Sequence, residues 1–374
     1  MNSETSKYIW VSAAETSGDI HGANLLQSLC AMRSDFEFVG LGGPEMRKEK
    51  FSALIRAEEM SVMGFTEVFS RLPKILSILK KNKQHLQAYL PRCVVLIDAP
   101  DFHFRIAKMA YKLGIPVFYY ISPKVWAWRK RRVNFLRKYV NKILSIIPFE
   151  EDFFLSRGID VEFVGHPLMQ EMEISSLDQI APGKNIIGIM PGSRKKEISA
   201  LLPRFARAAF NVKQQFPEME FSIILAPHLS QEEINRYWPK NLEYNSICFE
   251  DRYRALKSCN MVLAASGTAT LECALLGIPT IVAYKLSVFS FILGRLLVNV
   301  PYISLPNLIM DKQIFPEYMQ SDVNGENLAK QILHWLEYPE KTDEIREELS
   351  EIRGKLGEHE ASKRAAQIIV QSID

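Results

Sequence analysis

Cysteine is sparse in this chain: Cys30, Cys93, Cys248, Cys259 and Cys273 are the five, with no CxxC pair among them. An odd and scattered set argues against a disulfide framework and suits a reducing compartment. Long apolar runs are missing too, since none reaches the about 18 residues that a bilayer-spanning helix needs. The opening "MNSETSKYIWVSAAE" lacks a basic segment followed by a long apolar stretch, so no secretory signal is expected. Nor is there an excess of one charge. A net charge of +3 is too small for a protein-wide field that gathers nucleic acid, so anions must be met by local clusters. No HExxH, Cys/His cluster or compact carboxylate cage occurs, and no bound metal is expected. A Walker GKS or GKT loop and a GxSxG elbow are likewise absent. "GLGGPE" from Gly40 fails as a dinucleotide fingerprint, because Glu45 stands where the last glycine should be.

What is present is a long, evenly mixed chain. Its 374 residues exceed one ordinary core, and 47% hydrophobic with 24% charged is the mix of a soluble globular protein. Short apolar runs alternate with helical segments: "YIWVSAA", "FEFVGLG", "CVVLIDA", "PVFYYIS", "NKILSII" and "VEFVGH", then "IIGIMPG", "EFSIILA", "NSICFE", "MVLAAS" and "PTIVAY". Continuous apolar strands separated by helices predict parallel sheets covered on both faces. The polar stretch between Leu168 and Lys184 divides the series in two. The expected class is α/β, with two doubly wound Rossmann-like domains facing each other and ligands at the carboxyl ends of the strands. Their expected bounds are 1–170 and 180–344, with a C-terminal helix at 345–374 completing the first.

Strand-to-helix junctions carry the candidate chemistry. "IIGIMPGSRKKEI" turns through Gly192 and Ser193 and presents Arg194 before a helix expected near Ile198. "MVLAASGTATLE" does the same with Ser266, Gly267 and Thr268. Free amides and the positive helix end make such junctions anion sites, and an arginine suits phosphate. Ser266 or Thr268 could equally be a plain N-cap. Glu272, one turn inside, could accept hydrogen bonds from vicinal ribose hydroxyls or simply face water. In the first half, "VSAAETSGDIHG" brings Glu15, Asp19 and His21 to a strand end, where Asp19 could instead cap the helix. "VVLIDAPDFHF" ends a strand in Asp98, followed by Asp101 and His103. A carboxylate finishing a buried strand needs a partner and can have the raised basicity of a general base. Asp101 reads best as an N-cap.

Two segments suggest a lipid surface. "MGFTEVFSRLPKILSILKKNK" places Phe65, Val68, Phe69, Leu72, Ile75, Leu76 and Leu79 at helical spacing among lysines, either an interfacial stripe or a core face. Pro73 predicts a helix start near Ser70, leaving Phe65, Val68 and Phe69 as apolar exposure. "VWAWRKRRVNFLRK" sets Trp126 and Trp128 before Arg129, Lys130, Arg131 and Arg132. Tryptophan beside clustered cations suits anionic headgroups first and single-stranded nucleic acid last.

These segments resemble the lipid-A-disaccharide synthase family. "ETSGDIHG", "GLGGPEM", "MGFTEV", "IDAPDF", "SPKVWAWRKRR", "PFE", "VGHP", "PGSRKKEI", "SGTATLE" and "SLPN" keep that family's order from Glu15 to Asn307. One departure is "AAETSGD" where "AGEASGD" is commoner; it leaves Glu15, Ser17, Gly18 and Asp19 in place. The resemblance implies a glycosyltransferase-B fold. It also implies transfer of 2,3-diacylglucosamine from its UDP donor to 2,3-diacylglucosamine 1-phosphate, giving a β-1′,6-linked disaccharide and UDP. It further implies a cytoplasmic protein resting on the anionic inner-membrane surface. The UDP-sugar is then a substrate held by Gly192, Ser193, Arg194, Ser266, Gly267, Thr268, Glu272 and Asn307, with no cofactor, metal or nucleic acid expected. Inversion in one displacement needs one base, for which Asp98 is preferred and Glu15, Asp19 and His21 are the alternatives. A homo-oligomer stays open, as do two rival functions: a UDP-sugar 2-epimerase-like enzyme and a non-catalytic lipid-binding protein.

Overall fold

The computed structural model describes all residues except 1–5, 62–71, 128–131, 182, 184, 227–228, 287–290, 292–299, 358–359 and 374. The chain forms two compact units, Met1–Pro167 with Gly357–Asp374, and Leu168–Leu356.

In the first unit the strands are β1 (Tyr8–Ala13), β2 (Glu37–Gly42), β3 (Phe51–Arg56), β4 (Cys93–Ile97), β5 (Val117–Tyr120), β6 (Lys142–Ser145) and β7 (Val161–Phe163). They lie in the order β3-β2-β1-β4-β5-β6-β7, all parallel. Successive residues of each strand face opposite sides, and both sides are covered. Trp10, Val94, Leu96 and Tyr119 pack with Ile78, Leu86, Phe102 and Ile106 on one side. Ile9, Val11, Val95 and Phe118 pack with Leu25, Leu29, Ala365 and Ile369 on the other. The C-terminal helix Ala361–Ile373 therefore shares a core with the helix Thr16–Met32.

The second unit repeats the plan with β8 (Ile186–Met190), β9 (Glu220–Ile224), β10 (Asn245–Ile247), β11 (Met261–Ala265), β12 (Thr280–Tyr284) and β13 (Glu317–Met319). Their order is β10-β9-β8-β11-β12-β13, again parallel. The helix Glu340–Leu356 belongs to this unit. Two strands escaped the sequence reading: Ser52 and Arg56 interrupt the apolar residues of β3, and β13 is three residues long, so neither shows a long apolar run. The helix after β8 spans Lys195–Gln215, beginning three residues before the expected Ile198.

Each sheet reverses its strand order once, between β1 and β4 and between β8 and β11. There the following loops diverge to opposite faces and leave a crevice at the carboxyl ends. Ala13 is level with Ile97, and Met190 with Ala264. The register thus brings the Glu15 and Asp98 loops to one reversal, and the Gly192 and Ser266 loops to the other.

Candidate active site

Asp98 follows β4 with φ of 50°, and Ala99 follows with φ of 44°. Two consecutive non-glycine residues in the left-handed region cost about 1–3 kcal/mol each and persist only where the surroundings hold them. Here the Asp98 carbonyl accepts from His103 Nδ1 at 2.7 Å and from the Tyr119 hydroxyl at 2.7 Å. Its N–H donates to the Tyr120 carbonyl at 3.2 Å. The side chain remains half-buried, and burial raises its pKa against the opposing pull of the Ala99 amide, Lys124 and His21. That environment suits a base poised nearer neutrality.

His103 is fully buried, with Nε2 3.0 Å from Ser12 Oγ, and desolvation lowers its pKa to about 4. Glu15 is exposed at the start of the helix Thr16–Met32, which no side chain caps, and His21 lies one and a half turns along.

Asp19 is a different case. Its carboxylate accepts from the amides of Gly43 at 2.7 Å, Glu45 at 2.8 Å and Met46 at 3.2 Å, and it is 2% exposed. It caps no end of its own helix and pins the "GGPEM" turn, so the geometry gives it a structural task rather than a base's. Asp101 also departs from the expectation: Ala99 is the N-cap, and Asp101 pairs with Arg132, whose guanidinium lies 5.2 Å from the Phe104 ring. The sequence reading missed Glu150, which is 1% exposed and accepts from Ser122 Oγ at 3.0 Å and Trp126 Nε1 at 2.8 Å. Burial raises its pKa to about 7. Trp126 is therefore anchored inward by its indole. A charge quoted only within "PFE" gave no sign of this depth.

In the second unit Gly192 has φ of 103°, and a Cβ there would stand 2.7 Å from Glu197 Oε2. Only glycine lets Glu197 fold back over this turn. Ser193 is exposed. The Arg194 side chain is 82% exposed, with Nη1 2.8 Å from Glu197 Oε1. At the neighbouring junction Gly267, not Ser266 or Thr268, is the N-cap of the helix Thr268–Leu275, and no side chain caps it. Ser266 Oγ donates instead to the Ile303 carbonyl at 2.8 Å. Thr268 is exposed, and the position that a Cβ on Gly267 would take is open space. First-turn amides left without a capping oxygen are the donors an anion would use.

Glu272 does not face water: it is 6% exposed. Its Oε1 accepts from Arg252 Nε and Nη2, each at 3.3 Å, and from the Tyr253 hydroxyl at 3.2 Å. Burial raises its pKa, opposed chiefly by Arg252. Asn307 is fully buried with both amide atoms engaged. It donates to the Phe315 carbonyl and Glu317 Oε1, and accepts from the Ile314 and Phe315 amides. Glu317 in turn binds the Ile303 and Ser304 amides. Asn307 therefore supports the loop behind Ser266 and has no amide atom left over for a ligand, a correction to the expected contact.

Phe65, Val68, Phe69, Trp128, Arg129 and Arg131 lie outside the described residues. The helix that includes Leu72 spans Leu72–Tyr89. The stripe expected there divides: Leu79 enters the core and Ile75 packs against it, whereas Leu76 is 58% exposed, and Ile78 and Leu86, outside that stripe, are buried as well. Among the described residues no helix is long and apolar enough to cross a membrane, and no group of three or more His, Cys, Asp or Glu is placed to hold a metal.

Solved structures share this architecture. A UDP-GlcNAc 2-epimerase from Neisseria meningitidis, bound to UDP-GlcNAc, has a TM-score of 0.63 at 13% identity, covering 98% of this chain and 99% of that one. The glycosyltransferase of kitacinnamycin has a TM-score of 0.64 at 13% identity over 98% and 99%. Two doubly wound units, each with its helix entrances at the strand-order reversal, define the glycosyltransferase-B class of fold. Within that class a family model described as lipid-A-disaccharide synthetase matches residues 9–372. The lipid-A-disaccharide synthase of Syntrophus aciditrophicus is 38% identical over 96% of both chains. That of Myxococcus xanthus is 36% identical over 98% of this chain and 97% of its own. The chain belongs to the lipid-A-disaccharide synthetase family and is a glycosyltransferase.

Proposed function

We propose that this chain moves 2,3-diacylglucosamine from UDP to 2,3-diacylglucosamine 1-phosphate, with the second unit holding UDP and Asp98 serving as general base. The acceptor 6-hydroxyl oxygen forms the bond to donor C1 as the bond from C1 to the diphosphate oxygen breaks. The hydroxyl proton passes to Asp98, and UDP leaves with the electron pair. One displacement turns the α-linked donor into a β-linked product. The observation that carries this reading is the Asp98 corner: a carboxylate at the strand-order reversal, its pKa raised by burial and its backbone held by two donors.

The uncapped amides before the helix Thr268–Leu275, together with Arg194, meet the diphosphate charge, and no divalent ion is needed. With Arg252 and Tyr253 on Oε1, Glu272 keeps Oε2 for ribose hydroxyls. Glu15 and His21 bind acceptor beside Asp98. The helix Leu72–Tyr89, with Lys74, Lys80, Lys81 and Lys83 and no acid, rests its exposed Leu76 on an anionic inner-membrane surface, where the acylated substrates are.

Purified protein given both acylated substrates should release UDP and one disaccharide, with or without chelator, while Asp98→Asn should bind UDP and not turn over. Conversion of the UDP-sugar without acceptor would point to an epimerase instead. Retained turnover by Asp98→Asn would remove that residue from the mechanism.

A further inference from the structure

Behind Asp98 lies a buried polar cluster that takes no part in the proposed bond-making and bond-breaking and supplies the two donors to the Asp98 backbone. Ser12 on β1, His103 on the helix Pro100–Lys112 and Tyr119 on β5 come from three elements, and all three residues are buried. The hydrogen bonds fix every proton. The Asp98 carbonyl can only accept, so His103 Nδ1 must carry the hydrogen that spans their 2.7 Å contact. A neutral imidazole then offers Nε2 as an acceptor, and Ser12 Oγ supplies the proton at 3.0 Å. The Tyr119 hydroxyl donates to the same carbonyl oxygen at 2.7 Å. One backbone oxygen thus receives two side-chain donors, at a residue whose φ of 50° ordinary residues avoid.

We propose that His103 and Tyr119 are positioning residues for the base: their two hydrogen bonds to the Asp98 carbonyl hold the left-handed corner that sets where the Asp98 carboxylate stands. Neither touches substrate. His103 acts through Nδ1 as a donor and not through its charge or its bulk. Ser12 selects the tautomer that makes Nδ1 the donor. The role rests on the assignment of Asp98 as base, and the test separates the two.

Asparagine places an amide N–H where Nδ1 stands; leucine fills the space without a donor. His103→Leu should lower kcat about 100-fold, the scale of a misplaced reacting group. KM for the acceptor and the affinity for UDP should stay within about threefold, because substrate contacts are intact. His103→Asn should recover most of that loss. Tyr119→Phe, which keeps the ring, should lower kcat about tenfold and covers the case in which His103→Leu fails to fold. In the Asp98→Asn background neither substitution should lower the residual rate further, since a misplaced base costs nothing once the base is gone. Normal kcat in both His103→Leu and Tyr119→Phe would overturn the proposal, as would a His103→Asn variant no better than His103→Leu. If Asp98→Asn itself turns over normally, the base assignment falls and the positioning role falls with it. An inactive Asp98→Asn beside unimpaired His103 and Tyr119 variants would overturn the positioning role alone.

Discussion

Asp19 Oδ1 accepts the Gly43 amide at 2.7 Å, across a gap so narrow that a Cβ on residue 43 would stand 2.5 Å from Asp19 Oδ2. The carboxylate and the missing side chain are two halves of one joint between the helix Thr16–Met32 and the turn after β2. This joint explains an acid at the first strand-order reversal that the chemistry does not need.

Asp19→Asn keeps one acceptor but turns a donor either toward the Glu45 amide or toward those of Gly43 and Met46. It should cost about 1–3 kcal/mol in urea unfolding, and Gly43→Ala a similar amount. Activity per folded molecule should be retained. A fully folded Asp19→Asn protein without turnover would return this residue to the reaction.

Asp98 should set the acid limb of the rate profile. Its pKa is raised by burial, so kcat should fall with decreasing pH above the range of an ordinary aspartate. Stability should move the other way. Between the ordinary value and the raised native one, the folded state binds more protons than the unfolded chain, so Asp98 subtracts stability as pH rises through that window. Asp98→Asn should therefore melt higher than the parent at neutral pH and lose the advantage below about pH 3.9. A melting difference that is unchanged across that range would contradict this account.

Gly267 stands at an N-cap with nothing within 4 Å of a Cβ position and an extended φ of 161° that any residue can adopt. Gly267→Asp should cap the helix and put a negative charge where diphosphate is proposed to sit. Stability should rise by a few tenths of a kcal/mol while UDP affinity drops at least about tenfold. Calorimetric titration with UDP, alongside a thermal melt, reads both. Undiminished affinity would place the nucleotide elsewhere.

Leu76 and Leu79 differ by three positions on one helix and should respond in opposite ways. Leu76→Ser, at an exposed site, should leave the melting temperature unchanged and reduce binding to vesicles containing anionic lipid. Leu79→Ser, at a site 5% exposed, should destabilise by about 2–4 kcal/mol. Equal vesicle binding by the parent and Leu76→Ser would detach this helix from any lipid surface.

The sequence was most legible where physics is local. Runs such as "CVVLI" and "MVLAA" are apolar throughout because strands covered on both faces have no wet side, and that pattern alone predicted two parallel sheets. β3 and β13 were invisible for the converse reason: an edge strand that is short or interrupted by polar residues carries no such run. The motifs from Glu15 to Asn307 likewise sufficed to mark the family.

What the sequence could not assign was the task of each polar residue, because that depends on partners distant along the chain. Asp19 and Asn307 stood among the candidates with Asp98, yet each spends its side-chain polar atoms on partners that folding brings to it, as does Glu150, which showed no sign in the sequence. Asp98 gives its backbone carbonyl to His103 and Tyr119 and leaves its carboxylate half-buried. Chain order determined which residues could reach the two strand-order reversals; tertiary packing decided which of them still had a hydrogen-bonding atom to offer.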